Sequence, residues 1–104
     1  FIDAPQIIIV AGLKDQAWIR TYDGYCSVET DAAIAMSFII LAAANEGVGT
    51  CWIMAYDPHK LKDVLNTGDN HIIYGITPIG YPRNAATASI IKNRKPLDEI
   101  AVYK

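Results

Sequence analysis

Between Ala32 and Ala44 only Ser37 interrupts an apolar, alanine-rich run, so a helix formed there has almost no polar face. A helix that is apolar all round must be buried on every side. Its many alanines would let neighbouring backbones approach closely. The run falls short of the roughly 20 residues needed to cross a bilayer, which predicts a buried helix of a globular domain and no membrane partner. Thr30 or Asp31 can cap or charge its start, and Gly47 stands where a left-handed terminating residue belongs.

A second feature sharpens the first. Gln6-Ile7-Ile8-Ile9-Val10-Ala11 is a continuous apolar strand pattern almost at the start of the chain, and such runs suit strands covered on both faces. The 104 residues make one domain at most. They hold few helices with which to cover that strand. Residues 1–104 are therefore expected to be a single partial domain, its remaining cover coming from a further segment or a second subunit.

Composition excludes several function classes. Hydrophobic residues make up 52% and charged residues 19%, a core-forming balance and not a disordered one. The formal net charge of -2 gives no support to a nucleic-acid or anionic-membrane partner. Cys26 and Cys51 form no CxxC pattern. They read as reduced thiols of a cytoplasmic protein without a metal site. No secretory-signal pattern is read.

Along the chain, Lys14 to Thr30 lacks a period and carries Trp18, Tyr22 and Tyr25 around a turn at Asp23-Gly24. It reads as an aromatic flap over core edges or as a lid or subunit contact. Val48 to Ala55 is a short apolar strand or extended segment. Asp57-Pro58 opens a second helix through Leu61, Val64 and Leu65. Asn66 to Asn70 is a turn cluster, His71 to Ile79 a strand ended by Gly80-Tyr81-Pro82, and Ile100 to Tyr103 a strand-like tail. The order β-loop-α-β-α-β-tail predicts an α/β or α+β arrangement.

Few constellations carry chemistry. Gly47-Val48-Gly49 follows a helix and has Trp52 where a dinucleotide fingerprint needs its third glycine, so a helix stop explains it better. His59 and His71 have no cysteine or carboxylate pattern beside them, and no catalytic acid, base or nucleophile is assigned. In an extended segment Lys92 and Arg94 would point to one side about 7 Å apart, with Lys95 facing away. The first two could then converge on a phosphate, Arg as a fork and Lys as a point charge. Judged alone, a solvated basic run near a chain end is favoured. Trp52-Ile53-Met54-Ala55 could line a flat aromatic ligand through its backbone, or be a core strand.

These signals fall in an order that resembles one family. Ala4-Pro5 with the apolar strand comes first, then Ala17-Trp18-Ile19-Arg20 and Tyr22-Asp23-Gly24. The Asp31-led helix ends in Gly47-Val48-Gly49-Thr50, followed by Cys51-Trp52-Ile53, Tyr56-Asp57-Pro58, Ile79-Gly80-Tyr81-Pro82 and Lys92-Asn93-Arg94-Lys95-Pro96. The ordered set resembles the C-terminal half of the FMN-dependent nitroreductase family.

The resemblance implies an α+β fold with a mixed sheet flanked by helices, here incomplete, and a homodimer holding FMN at its interface. It implies an oxidoreductase that takes hydride from NADH or NADPH in two steps through the flavin, to nitroaromatic, quinone or similar small-molecule acceptors. Lys92 and Arg94 would hold the FMN phosphate. Trp52, Ile53, Met54 and Ala55 would flank the flavin ring, with N–H groups near Met54 and Ala55 facing its N5 edge. Many members have an acidic residue and Gly at those last two positions, so here the contact would rest on backbone alone. The alternative is a non-catalytic flavin-binding or dimerisation module of the same fold. The family's N-terminal half supplies further phosphate and ring contacts, so the 104 residues alone are expected to bind FMN poorly and lack turnover.

Overall fold

A computed structural model describes residues 3–83 and 93–103. The elements are β1 (Gln6–Leu13), α1 (Val28–Asn45), β2 (Gly49–Thr50), α2 (Pro58–Leu65), β3 (His71–Gly80) and a short α3 (Leu97–Ile100). The strands form one sheet in the order β1-β3-β2, with both pairings antiparallel. This is an α+β arrangement. The β1–β3 pairing runs from Gln6↔Ile79 to Leu13↔His71, and its register shifts between Val10 and Ala11, where Tyr74 is the unpaired extra residue.

α1 lies across all three strands. Its inner stripe is Val28, Ala32 and Met36, spaced four apart as one helix face requires, and all three are buried. Gly12 on β1 makes this approach possible, since a Cβ there would collide with the Val28 side chain. The opposite stripe is not covered: Phe38 is 67% exposed and Leu41 66%. Burial on every side, expected from the sequence, is thus met on one side only. One sheet face can cover one helix stripe, and nothing among the described residues covers the other. The radius of gyration, 17.1 Å, exceeds the roughly 13 Å of a compact domain of about 100 residues, as a two-layer slab would.

The helix ends show where local chemistry decides. α1 starts at Val28, ahead of Thr30 and Asp31, which fall in its first turn. Ser27 Oγ donates to Asp31 Oδ2 at 2.6 Å, so the hydroxyl serves a side chain and not the helix backbone. Gly47 takes φ +69°, and Val48 N–H donates to Ala43 O while Gly47 N–H donates to Ala44 O, a Schellman stop as expected. In α2, the Asp57 carboxylate accepts from His59 N–H and Lys60 N–H with Pro58 in the first turn. Asp57→Ala should cost about 1 kcal/mol. In urea unfolding this is expected to lower the midpoint without changing the slope.

The segment before α1 is a closed flap. Ile19 bridges Cys26, Arg20 N–H donates to Tyr25 O, and Ser27 N–H donates to Trp18 O. The Arg20 guanidinium grips Asp23 with two bonds and lies 4.8 Å from the Tyr25 ring centroid; this contact holds the Asp23 carboxyl below its usual range. Trp18 and Tyr22 remain exposed, so the flap does not bury its aromatics over the core. The strand-like tail is also corrected. Pro96 initiates a helical turn with Asp98 and Glu99 at its start, and Ala101, Val102 and Tyr103 have no regular structure.

Candidate functional site

From Val48 to Ala55, expected as a short strand or extended segment, the ladder is interrupted. Only Gly49 and Thr50 form β2, and beyond a two-residue gap Ile53 makes an isolated bridge to Ile76 of β3. That bridge exchanges both bonds, Ile53 N–H to Ile76 O at 2.9 Å and Ile76 N–H to Ile53 O at 3.2 Å. It pins the middle of the Trp52–Ala55 segment. The N–H groups of Met54 and Ala55 donate to no acceptor among the described residues, and both residues are exposed. The segment is pinned at Ile53 and turns at Ala55, where Tyr56 N–H donates to Met54 O at 3.0 Å; with its N–H donors unused, it can receive the edge of a flat acceptor-bearing ring.

Trp52 and Met54 come together over one glycine. A Cβ on Gly75 would lie 2.6 Å from Trp52 Nε1, 3.2 Å from its Cδ1 and 3.4 Å from Met54 Sδ. The absence of a side chain at Gly75 is what lets both groups settle on the β3 backbone. Trp52 also meets Tyr74 edge to face, with ring centroids 5.9 Å apart and planes at 61°, a favoured aromatic geometry. Next to Met54 is a cavity of about 280 Å³ lined also by Glu29, Tyr56, Ile73 and Tyr74. Tyr56 donates its hydroxyl to Ile73 O at 2.9 Å, and burial pushes its phenol pKa up. The phenol therefore stays a neutral donor through the neutral range.

Gly75→Ala is expected to destabilise the fold by about 1–3 kcal/mol, because the new methyl must displace a ring already fixed by Tyr74. Near-ultraviolet circular dichroism should report the displaced indole, and an unchanged Trp52 signal would refute the close packing. Neither Gly75 nor Tyr74 stands out in the sequence as a site residue. A glycine inside a strand pattern is the one available sign of close approach.

The phosphate end is less fully placed. Arg94 lies exposed in the stretch leading to α3 and forms no ion pair among the described residues. Lys92 lies outside the described residues, so their convergence on one side is not seen. Cys26 and Cys51 are both free thiols.

Residues 1–81 match the family model described as "Nitroreductase family", a match that ends before Lys92 and Arg94. A nitroreductase family protein from Clostridium difficile 630 has a similar structure, with TM-score 0.83 and 29% identity over 98% of this chain and 60% of that one. A nitroreductase family protein from Clostridium novyi NT gives TM-score 0.70 and 33% identity, covering 79% of this chain and 46% of that one. A nitroreductase with bound FMN from Bacteroides fragilis NCTC 9343 gives TM-score 0.63 and 25% identity over 97% and 52%. The chain thus spans less than two thirds of each of these proteins. No curated protein matches it significantly.

Proposed function

The chain belongs to the nitroreductase family, and on that premise we propose that it serves an FMN-dependent oxidoreductase. The reaction is hydride transfer from NADH or NADPH, by way of the flavin, to nitroaromatic, quinone or similar acceptors. The observation that carries this reading is the Trp52–Ala55 segment, held at Ile53 and left with unused N–H donors at Met54 and Ala55. Support comes also from the FMN found in the Bacteroides fragilis relative.

The donor set fits a flavin at the ring end. Backbone N–H groups need no acidic side chain to meet a ring nitrogen, so the departure at Met54-Ala55 is tolerated. Trp52, Ile53, Met54 and Ala55 would flank the ring, and Lys92 and Arg94 would hold the phosphate. Bound FMN would supply the redox chemistry, which is why no acid–base pair or nucleophile is required of the protein. The chain's own part is to orient the ring and shield its edge.

Residues 1–104 would contribute part of this site, in a cytoplasmic homodimer, with the apolar stripe of Ile34, Phe38 and Leu41 covered in the assembled protein. The 104 residues alone would then bind FMN weakly and turn nothing over.

Purification decides this. The intact protein should be yellow, should bleach anaerobically with NADH or NADPH, and should recover its colour with a quinone or nitroaromatic. A yellow protein that neither nicotinamide bleaches would instead be a non-catalytic flavin module. Stoichiometric flavin on residues 1–104 alone would refute the partial site.

A further inference from the structure

The gap between β2 and the Ile53 bridge has a specific cause. Pairing keeps one register from Gly49↔Gly80 through Thr50↔Ile79 to Ile53↔Ile76, which puts Cys51 opposite Pro78 and Trp52 opposite Thr77. Hydrogen-bonded pairs alternate along an antiparallel ladder. Ile53↔Ile76 is such a pair, so Cys51↔Pro78 should be the next. Pro78 has no N–H to give, although it stands in the central strand of the sheet. Cys51 N–H donates instead to Thr77 Oγ1 at 3.0 Å, and Thr77 Oγ1 donates to Pro78 O at 3.2 Å. Thr77 is 0% exposed.

One hydroxyl therefore stands between a strand N–H and the carbonyl it would otherwise meet directly. An ordinary ladder bond spans about 2.9 Å, whereas here two bonds in series bridge the strands. Cys51 and Trp52 are held off β3 and leave the ladder, then the chain returns at Ile53. Immediately after that return come Met54 and Ala55.

We propose that Thr77 is a positioning residue for the flavin-facing segment. Its buried hydroxyl, acting beside the N–H that Pro78 lacks, sets how far Cys51 and Trp52 stand from β3. It thereby fixes where the Met54 and Ala55 donors are presented. The flavin part of this inference rests on the proposed function; the hydroxyl relay does not.

The experiment compares Thr77→Val, Thr77→Ser and the double variant Thr77→Val/Pro78→Ala in the intact protein. Cys51 amide exchange by NMR reads the relay, and FMN titration reads the positioning. Valine keeps the shape and removes the hydroxyl, so Cys51 exchange should accelerate about tenfold and FMN binding weaken about tenfold, as loss of one hydrogen bond predicts. Serine should restore both. The double variant regains an N–H at position 78 that can donate to the Cys51 carbonyl and draw the strands together, so that the Cys51 N–H can donate directly to the carbonyl of residue 78. Its amide protection should return while FMN binding stays weak, because the segment is drawn in toward β3.

Unchanged Cys51 exchange in Thr77→Val overturns the relay. Recovery of FMN binding together with protection in the double variant overturns the positioning role and leaves Thr77 merely structural. An intact protein with no affinity for FMN overturns the proposed function and the positioning role together, while the exchange result still decides the relay.

Discussion

Met36→Ala is expected to destabilise the intact protein by about 3 kcal/mol, within the 2–5 kcal/mol range for truncating a buried long side chain. Met36 is 0% exposed and sits on the helix stripe that closes over the sheet. Truncation removes its transfer free energy and leaves a cavity between α1 and the sheet unless the slab collapses. A flexible thioether fills irregular gaps well, and no solvent reaches this one to fill the space it leaves. Since domains of this size are stable by only about 5–15 kcal/mol, the change should lower the thermal midpoint by many degrees. The control is Phe38→Ala on the opposite stripe. If that stripe is covered in the assembled protein, the loss will approach that of Met36; if it faces water, the change will stay within about 0.5 kcal/mol. A Met36 variant as stable as the parent would refute the packing of α1 on the sheet.

The two stripes of α1 also mark what the sequence could and could not tell. Its alanine-rich, apolar run announces a helix that needs cover on all sides, and Gly47, Asp57 and Pro58 announce helix ends, because those signals act within a turn of the chain. Family membership was legible as well, from the order of motifs rather than from any one of them. α1 begins at Val28, ahead of the Thr30 or Asp31 start read from the sequence, and the seating of Val28 against Gly12 is a contact with another element that no local signal reports. The break in the Val48–Ala55 strand was invisible locally. It originates at Pro78, and only the pairing register brings that proline opposite Cys51. The same holds for Gly75, whose importance depends on Trp52 and Met54 arriving from a segment far along the chain. In each case the deciding contact is between strands, where sequence periodicity is silent about register.

Charge reversal at both phosphate-binding candidates, Lys92→Glu with Arg94→Glu, is expected to weaken FMN binding by at least about 100-fold. A hydrogen bond to a charged group contributes about 1.5–3 kcal/mol, and about 2.7 kcal/mol corresponds to 100-fold. Removing two such partners and placing two carboxylates near a dianion should exceed that value, with less effect at high salt because exposed charges are screened. Lys95→Glu is the matched control: in an extended stretch it faces the other side, so it changes net charge near the site without removing a phosphate contact. Arg94→Lys should fall between, since the charge remains and the fork is lost. Fluorescence titration of the intact protein with FMN reads all three variants on one scale. If the double reversal and the Lys95 control weaken binding alike, the effect is general electrostatics, and if neither changes FMN retention, the phosphate lies elsewhere.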